Sequence, residues 1–195
     1  MDRLAALAIV CMLAALAGGC ASSPSRFYTL SATATPSAAS SKLSVAVGPV
    51  SVPAAVDRPQ IVVSTSANQV TLDDFNRWAS PLQDNFARVV AENLVALLGT
   101  PRVTLFPQTL NADVDYRVQI EIRNFESAPG KSASLDAVWT VRRTKDGKTE
   151  TGRTSVREKV DDNGYDALAA AHSRGVARLS EDIADVVRTL DRAAP

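Results

Sequence analysis

The chain has 195 residues, with 21 Lys and Arg against 21 Asp and Glu, one histidine and two cysteines. Zero formal charge sets aside a nucleic-acid binder, which usually presents a basic surface, and a lone histidine sets aside a metal site built on two. At 46 % hydrophobic residues, the chain has the material for a core of its own.

A charged start, Asp2-Arg3, precedes an apolar run from Leu4 to Leu16. That run is too short for a bilayer core of about 30 Å but suits a signal h-region. Leu16-Ala17-Gly18-Gly19-Cys20 then reads as a bacterial lipoprotein signal, cleaved before Cys20 and acylated on its thiol, although Ala17 stands where Leu is more usual. A secretory signal with a spare cysteine and an uncleaved anchor are the alternatives. The expected organisation is a signal peptide over 1–19, a lipidated N-terminus and linker over 20–41, and a single α/β periplasmic domain over 42–192. Cys11 leaves with the signal and Cys20 carries lipid, so no thiol remains for a disulfide, a nucleophile or a metal. Ala21, rather than Asp, follows the cysteine, which favours the outer membrane.

Arg26-Phe27-Tyr28-Thr29-Leu30 is an apolar island that needs a place to dock, and the low-complexity Ala/Ser stretch 31–41 after it reads as a loop. Leu43 to Val52 alternates as a strand broken at Gly48-Pro49. Ile61-Val62-Val63 suggests a strand buried on both faces, and Asn68 to Leu72 a turn into a short returning strand. Ser80, Pro81 and Gln83 form a capping-box start for a helix carrying Leu82, Phe86, Val89, Val90, Leu94 and Leu97, stopped by Gly99. Val103 to Phe106 is a brief strand. Tyr116, Val118, Ile120 and Ile122 alternate with Arg117, Gln119, Glu121 and Arg123, giving one buried and one wet face. Leu135 to Val141 alternates again, Lys145-Asp146-Gly147-Lys148 makes a hairpin turn, and Thr149 to Val160 returns as a polar strand. Asp161 to Gly164 caps a last helix with Tyr165, Leu168, His172, Val176, Leu179, Ile183, Val186 and Leu190 at helical spacing. The order predicts an α/β fold, a three-layer sandwich with a mixed β-sheet flanked by two main helices.

The chain contains no Gly-x-Ser-x-Gly elbow, no dinucleotide-binding glycine loop and no phosphate-binding Gly-Lys-Ser/Thr. His172 lies on an apolar stripe and reads as a packing residue, with a partner contact as the alternative. Asp73-Asp74, Asp113 with Asp115, and Asp161-Asp162 each lie at a turn, where Asp bends the backbone. A paired-carboxylate hydrolase is the enzymatic alternative they leave. Arg142, Arg143, Lys145 and Lys148 form a small basic patch. No metal and no cofactor are expected.

Phe27-Tyr28-Thr29-Leu30 after the cysteine, Val47-Gly48-Pro49-Val50, Arg58-Pro59-Gln60-Ile61-Val62, Trp78-Ala79-Ser80-Pro81-Leu82, the Tyr116-to-Phe125 strand and the long last helix together resemble the PqiC/YmbA family. These are ABC-type transport auxiliary lipoproteins. The resemblance implies a non-enzymatic periplasmic domain on the outer membrane, an inner-membrane MCE-domain partner, a role in intermembrane lipid transport and envelope integrity, and a fold like the one read above. The partner-docking candidates are Trp78, Arg117, Gln119, Glu121, Arg142 and Arg143, and assembly into a homo-oligomeric ring is a further expectation. A tethered regulator of a peptidoglycan synthase and a periplasmic lipid carrier are the competing classes.

Overall fold

Alternating side chains set most of the strands, and two apolar stripes of helical period set the helices. The structure, a computed structural model, describes residues 24–38, 40–107 and 113–193. The signal segment and Cys20 lie outside the described residues. In chain order the elements are β1 (Arg26–Tyr28), β2 (Val45–Ser51), β3 (Gln60–Ser66), β4 (Gln69–Trp78), α1 (Leu82–Leu98), β5 (Val103–Leu105), β6 (Tyr116–Ala128), β7 (Ser132–Arg143), β8 (Thr149–Lys159) and α2 (Tyr165–Arg192).

The strands form two sheets, ordered β5-β2-β6-β7-β8 and β1-β4-β3. In the larger one β2 runs parallel to both β5 and β6, while β6, β7 and β8 form the expected antiparallel meander. The Gly48-Pro49 break shows as a register shift between Val47 and Val50. There Gly48 takes a φ of +114°, and an added Cβ would lie 2.9 Å from Phe106 Cβ, so glycine is required by both angle and space. The smaller sheet pairs β1 parallel to β4, and β3 antiparallel to it.

Tyr116, Val118, Ile120 and Ile122 from β6, with Leu135, Ala137, Trp139 and Val141 from β7, form the floor of the core. Helices α1 and α2 pack on each other and on this face, α1 over β2 and β5, α2 over β7 and β8. The α/β class, the mixed sheet and the two main helices are as the sequence indicates. The layering is refined: the helices share one face, and Gln119, Glu121, Arg123, Arg142, Thr151 and Arg153 on the other are exposed. A helix there would take those charged and polar side chains out of water, at a desolvation cost that favours leaving the face open. Ile61 is buried, but Val62 and Val63 are half-buried, so the apolar run that suggested two covered faces belongs to the smaller sheet.

Helix ends differ from expectation in detail. Pro81 occupies the N-cap of α1, and no side chain caps it; Ser80 falls one residue too early to reach the first turn's free amides. Gly99 ends the helix in the left-handed region at φ +62°, as expected. Before α2, Asp162 Oδ1 accepts from Gly164 N–H at 3.2 Å, while Gly164 is itself the N-cap. The acidic run therefore shapes a turn and does not cap the helix.

The Ala/Ser stretch is laid along the helix pair. Ser31 N–H donates to Ser173 Oγ (3.0 Å), the amides of Thr33 and Ala34 both donate to Asn93 Oδ1 (3.1 Å each), Ser37 N–H to Ala96 O and Ser41 N–H to Gly99 O (2.9 Å each). Asn93 is fully buried. Its carboxamide takes the place of a missing strand partner for two backbone amides.

Candidate functional site

Two motifs far apart in sequence meet on one surface. Arg58-Pro59-Gln60 leads into β3, and Trp78-Ala79-Ser80-Pro81 leads from β4 into α1. Trp78 N–H donates to Pro59 O (2.8 Å) and Ala79 N–H to Tyr28 O (2.7 Å), tying both motifs to the end of β1. Between them lies a groove of about 420 Å³ lined by Asp57, Arg58, Pro59, Trp78, Ala79, Ser80 and Pro81. Arg58 stands at its rim, exposed.

The floor beneath this groove is aromatic. Trp78 is buried, with ring centroids 6.0 Å from Phe125 and 6.4 Å from His172. His172 stacks on Phe125 at 3.8 Å, and its Nε2 lies 2.8 Å from Ser127 Oγ. Nδ1 is buried without a partner. Burial lowers the imidazole pKa to about 3, because a low-dielectric site disfavours the charged form. His172 is thus a neutral packing residue at neutral pH, as its place on the apolar stripe indicates. Trp78 supplies the groove's floor but almost no contact area.

The second surface is the open face of the larger sheet. Arg117 faces Arg142 across β6 and β7, Gln119 faces Thr140, and Glu121 faces Val138. A depression of about 290 Å³ is lined by Pro49, Ser51, Gln119, Ile120, Glu121, Val138 and Thr140, where the bulge in β2 bends that strand away. Glu121 pairs loosely with Arg123 (3.4 Å), and Arg153 grips Asp136 in two-pronged fashion at 2.8 and 2.6 Å. That guanidinium holds the Asp136 carboxyl below its usual range. Arg117, Gln119, Glu121 and Arg142 therefore come together on one polar face.

Arg143 does not join them. Successive residues on a strand point to opposite faces, so Arg143 is buried beneath the end of α2, where it donates to Leu190 O and to both carboxylate oxygens of Asp146 (3.0 and 2.6 Å). The basic patch is thus divided, one arginine solvated and one structural. The carboxylate pairs are divided too. Asp73 accepts from Tyr165 Oη (2.6 Å) and from the amides of Phe75 and Asn76 (2.9 and 2.8 Å). Its burial raises the carboxyl pKa, but these hydrogen bonds outweigh that and hold it below the usual range. Asp115 Oδ2 accepts from both N–H and Oγ–H of Ser44 at 2.7 Å, fastening β2 to β6. Among the described residues no group of three His, Cys, Asp or Glu is placed to hold a metal, and no helix is long and apolar enough to cross a membrane.

Sequence reasoning missed the strap of residues 31–41. The signal was Asn93 itself, a polar residue inside the apolar stripe of Val89, Val90, Leu94 and Leu97. The strap borders a groove of about 580 Å³ between Thr29, Ser31 and Thr33 on one side and Ala169, Ser173 and Arg178 of α2 on the other.

The family model described as ABC-type transport auxiliary lipoprotein component matches residues 28–184, which contain both surfaces. Among solved structures, a crystal structure of an uncharacterised protein is similar with a TM-score of 0.68 at 22 % identity, covering 85 % of this chain and 99 % of that one. A DUF330-family protein from Xanthomonas campestris is similar with a TM-score of 0.70 at 18 % identity, covering 87 % and 100 %. At these identities the likeness concerns the fold. Among functionally curated proteins none matches the sequence.

Proposed function

The chain belongs to the family of ABC-type transport auxiliary lipoprotein components, and we propose that it serves there as a non-enzymatic subunit anchored by Cys20 to the periplasmic face of the outer membrane. Its partner in this reading is an MCE-domain protein of the inner membrane, and its role is to hold that partner's end against the outer membrane so that lipid passes without crossing water. The observation that carries the reading is the family match over nearly the whole folded domain, directly behind a lipidation signal. The exposed Gln119, Glu121 and Arg142, with Arg117 beside them, form the proposed docking face. A polar, charged and solvated sheet face suits a reversible protein contact better than it suits the apolar lining a lipid carrier needs.

A regulator of a peptidoglycan synthase would need a long spacer to cross the wall. The chain from Cys20 to β1 at Arg26 reaches only about 20 Å when extended, which disfavours that class. The test is in-vivo crosslinking of the tagged lipoprotein, alongside Cys20→Ala and a Gln119→Arg/Glu121→Arg variant, with partners identified by mass spectrometry. Recovery of an MCE protein, lost in the sheet-face variant and weakened in Cys20→Ala, is expected. Recovery of a cell-wall synthase in its place would overturn the reading.

A further inference from the structure

Six large apolar side chains are well exposed among the described residues, and four of them lie on β1 and β4: Phe27 (64 %), Val70 (60 %), Phe75 (47 %) and Leu72 (42 %). Register places Phe27, Leu72 and Val70 on one face, with the exposed Phe75 in the irregular stretch of β4 between Asp73 and Arg77. Phe27 is opposite Arg77, and Tyr28 opposite Trp78. Tyr28 and Trp78 point inward, where Tyr28 Oη donates to Asn76 Oδ1 at 2.9 Å, so Phe27 and Arg77 point outward, while Phe75 lies where the pairing of β4 with β3 shifts and is exposed. Across β3, Asp73 pairs with the buried Ile61, while Leu72 pairs with Val62 and Val70 with Ser64. Asp73 turns inward to Tyr165, which places Leu72 and Val70 on the outward side as well. All four stay well exposed among the described residues, although Val70 also borders a groove of about 430 Å³ against Asn124 to Ser127 of β6.

The chain length before β1 says what covers them. Five residues separate Cys20 from Arg26, and the six steps of chain between the two span at most about 20 Å. Because the strap after β1 is fastened to the helices, the spacer cannot be lengthened from within the domain. A lipid on Cys20 therefore keeps β1 within that distance of the leaflet.

We propose that the outward face of the smaller sheet, Phe27 and Phe75 with Leu72 and Val70, rests in the headgroup–acyl boundary of the leaflet that holds the Cys20 lipid. This inference rests on the lipoprotein reading above. Aromatic and aliphatic side chains at that depth gain apolar burial while the backbone stays at the polar level. Arg77 borders the patch at headgroup height beside Asp74, whose backbone carbonyl accepts from its guanidinium, so the apolar contact, more than charge, carries the attachment. The face also fixes an orientation, since one acyl anchor alone leaves the domain free to swivel.

Loss of Cys11 with the signal and acylation of Cys20 allow single-cysteine labelling of the full lipidated chain. Phe27→Cys, Leu72→Cys and Gln119→Cys are each labelled with an environment-sensitive fluorophore and reconstituted into phosphatylethanolamine/phosphatidylglycerol vesicles containing doxyl lipid. Leu72→Cys keeps both phenylalanines, so it reports on the patch with its aromatic anchors in place. Intact mass measures acylation in the same samples. Blue-shifted, doxyl-quenched emission at 27 and 72, with a water-like, unquenched signal at 119, is expected. An acylated protein whose labels at 27 and 72 remain water-like would overturn the proposal and leave the lipoprotein reading standing. Blue-shifted labels without doxyl quenching, together with a dimer by native mass spectrometry, would assign the patch to a second copy and overturn it too. A chain with no acyl group on Cys20 would remove the lipoprotein reading, and the proposal with it.

Discussion

Replacing Asn93 by Leu tests whether one side chain fastens the N-terminal strap. The two side chains share the same number and branching of heavy atoms, so the space between α1 and α2 stays filled, with two bulkier methyl groups in place of the carboxamide. What is lost is the acceptor for Thr33 N–H and Ala34 N–H, each at 3.1 Å, and the donor to Ser180 Oγ at 3.3 Å. At about 1 kcal/mol net per hydrogen bond, the two strap bonds contribute about 2 kcal/mol. Water can reach the freed amides only if the strap lifts, and lifting caps the penalty near that figure. A change of that size corresponds to about a 30-fold fall in hydrogen-exchange protection, and it should be confined to residues 31–38. Hydrogen exchange by mass spectrometry on the N-terminal peptides measures it directly. Ser180→Ala removes only the bond on the far side of the carboxamide and should leave strap protection unchanged. If Asn93→Leu left the exchange of residues 31–38 at the wild-type level, Asn93 would not be the fastening and the strap would be held by its contacts with Ser173 and the end of α1.

Two further outcomes follow from buried groups. His172 has its pKa lowered to about 3 by burial, against about 6.5 in the unfolded chain, so the stability it contributes is full above about pH 6.5 and is lost as pH falls toward 3. By linkage the loss is about 1.4 kcal/mol per pH unit within that window, or about 2 kcal/mol at pH 5. Urea denaturation at pH 7 and pH 5 of wild type and His172→Asn should give a smaller pH difference in the variant, and equal differences would refute the assignment. Gly152→Ala would place a Cβ 2.3 Å from Trp139 Cζ2, beside an indole whose N–H donates to Thr154 Oγ1 at 3.0 Å. Displacing that ring should cost about 1–3 kcal/mol and change the near-ultraviolet circular dichroism; an unchanged midpoint and spectrum would show that Trp139 has room to move.

Local pattern carried the elements whose reason is local. Tyr116 to Ile122 alternates because one face of β6 meets the helices, and Leu168 to Leu190 repeats because one face of α2 meets the sheet. Sheet order was not legible, since the parallel neighbours of β2 are β5 and β6, separated from it in sequence by two other strands and α1, and nothing in Val45–Val47 specifies them. The placement of both helices on one face was readable in principle from the charges along Arg117, Gln119 and Glu121, but the apolar run Ile61–Val63 pointed the other way. The strap was hidden for a different reason. Hydropathy reports side-chain burial, whereas Ser31 to Ser41 is held largely through its backbone amides. At the docking surfaces, period two alone separates Arg142 from Arg143, while the burial of Trp78 depends on Phe125 and His172, which arrive from β6 and α2.

The length of α2 has a consequence for how the molecule stands in the envelope. Its 28 residues make a rod of about 42 Å. Tyr165 in its first turn lies against Tyr28 of β1 at 5.8 Å, while Leu190 in its last turn is held by Arg143 beside the β7–β8 turn. Strand β1 and the Lys145–Lys148 turn therefore lie by opposite ends of one rigid helix. In a protein tethered at Cys20, that turn with its two lysines would stand about one helix length from the strand that follows the tether, so the reach of that end toward an approaching partner is set by the number of turns in a single helix.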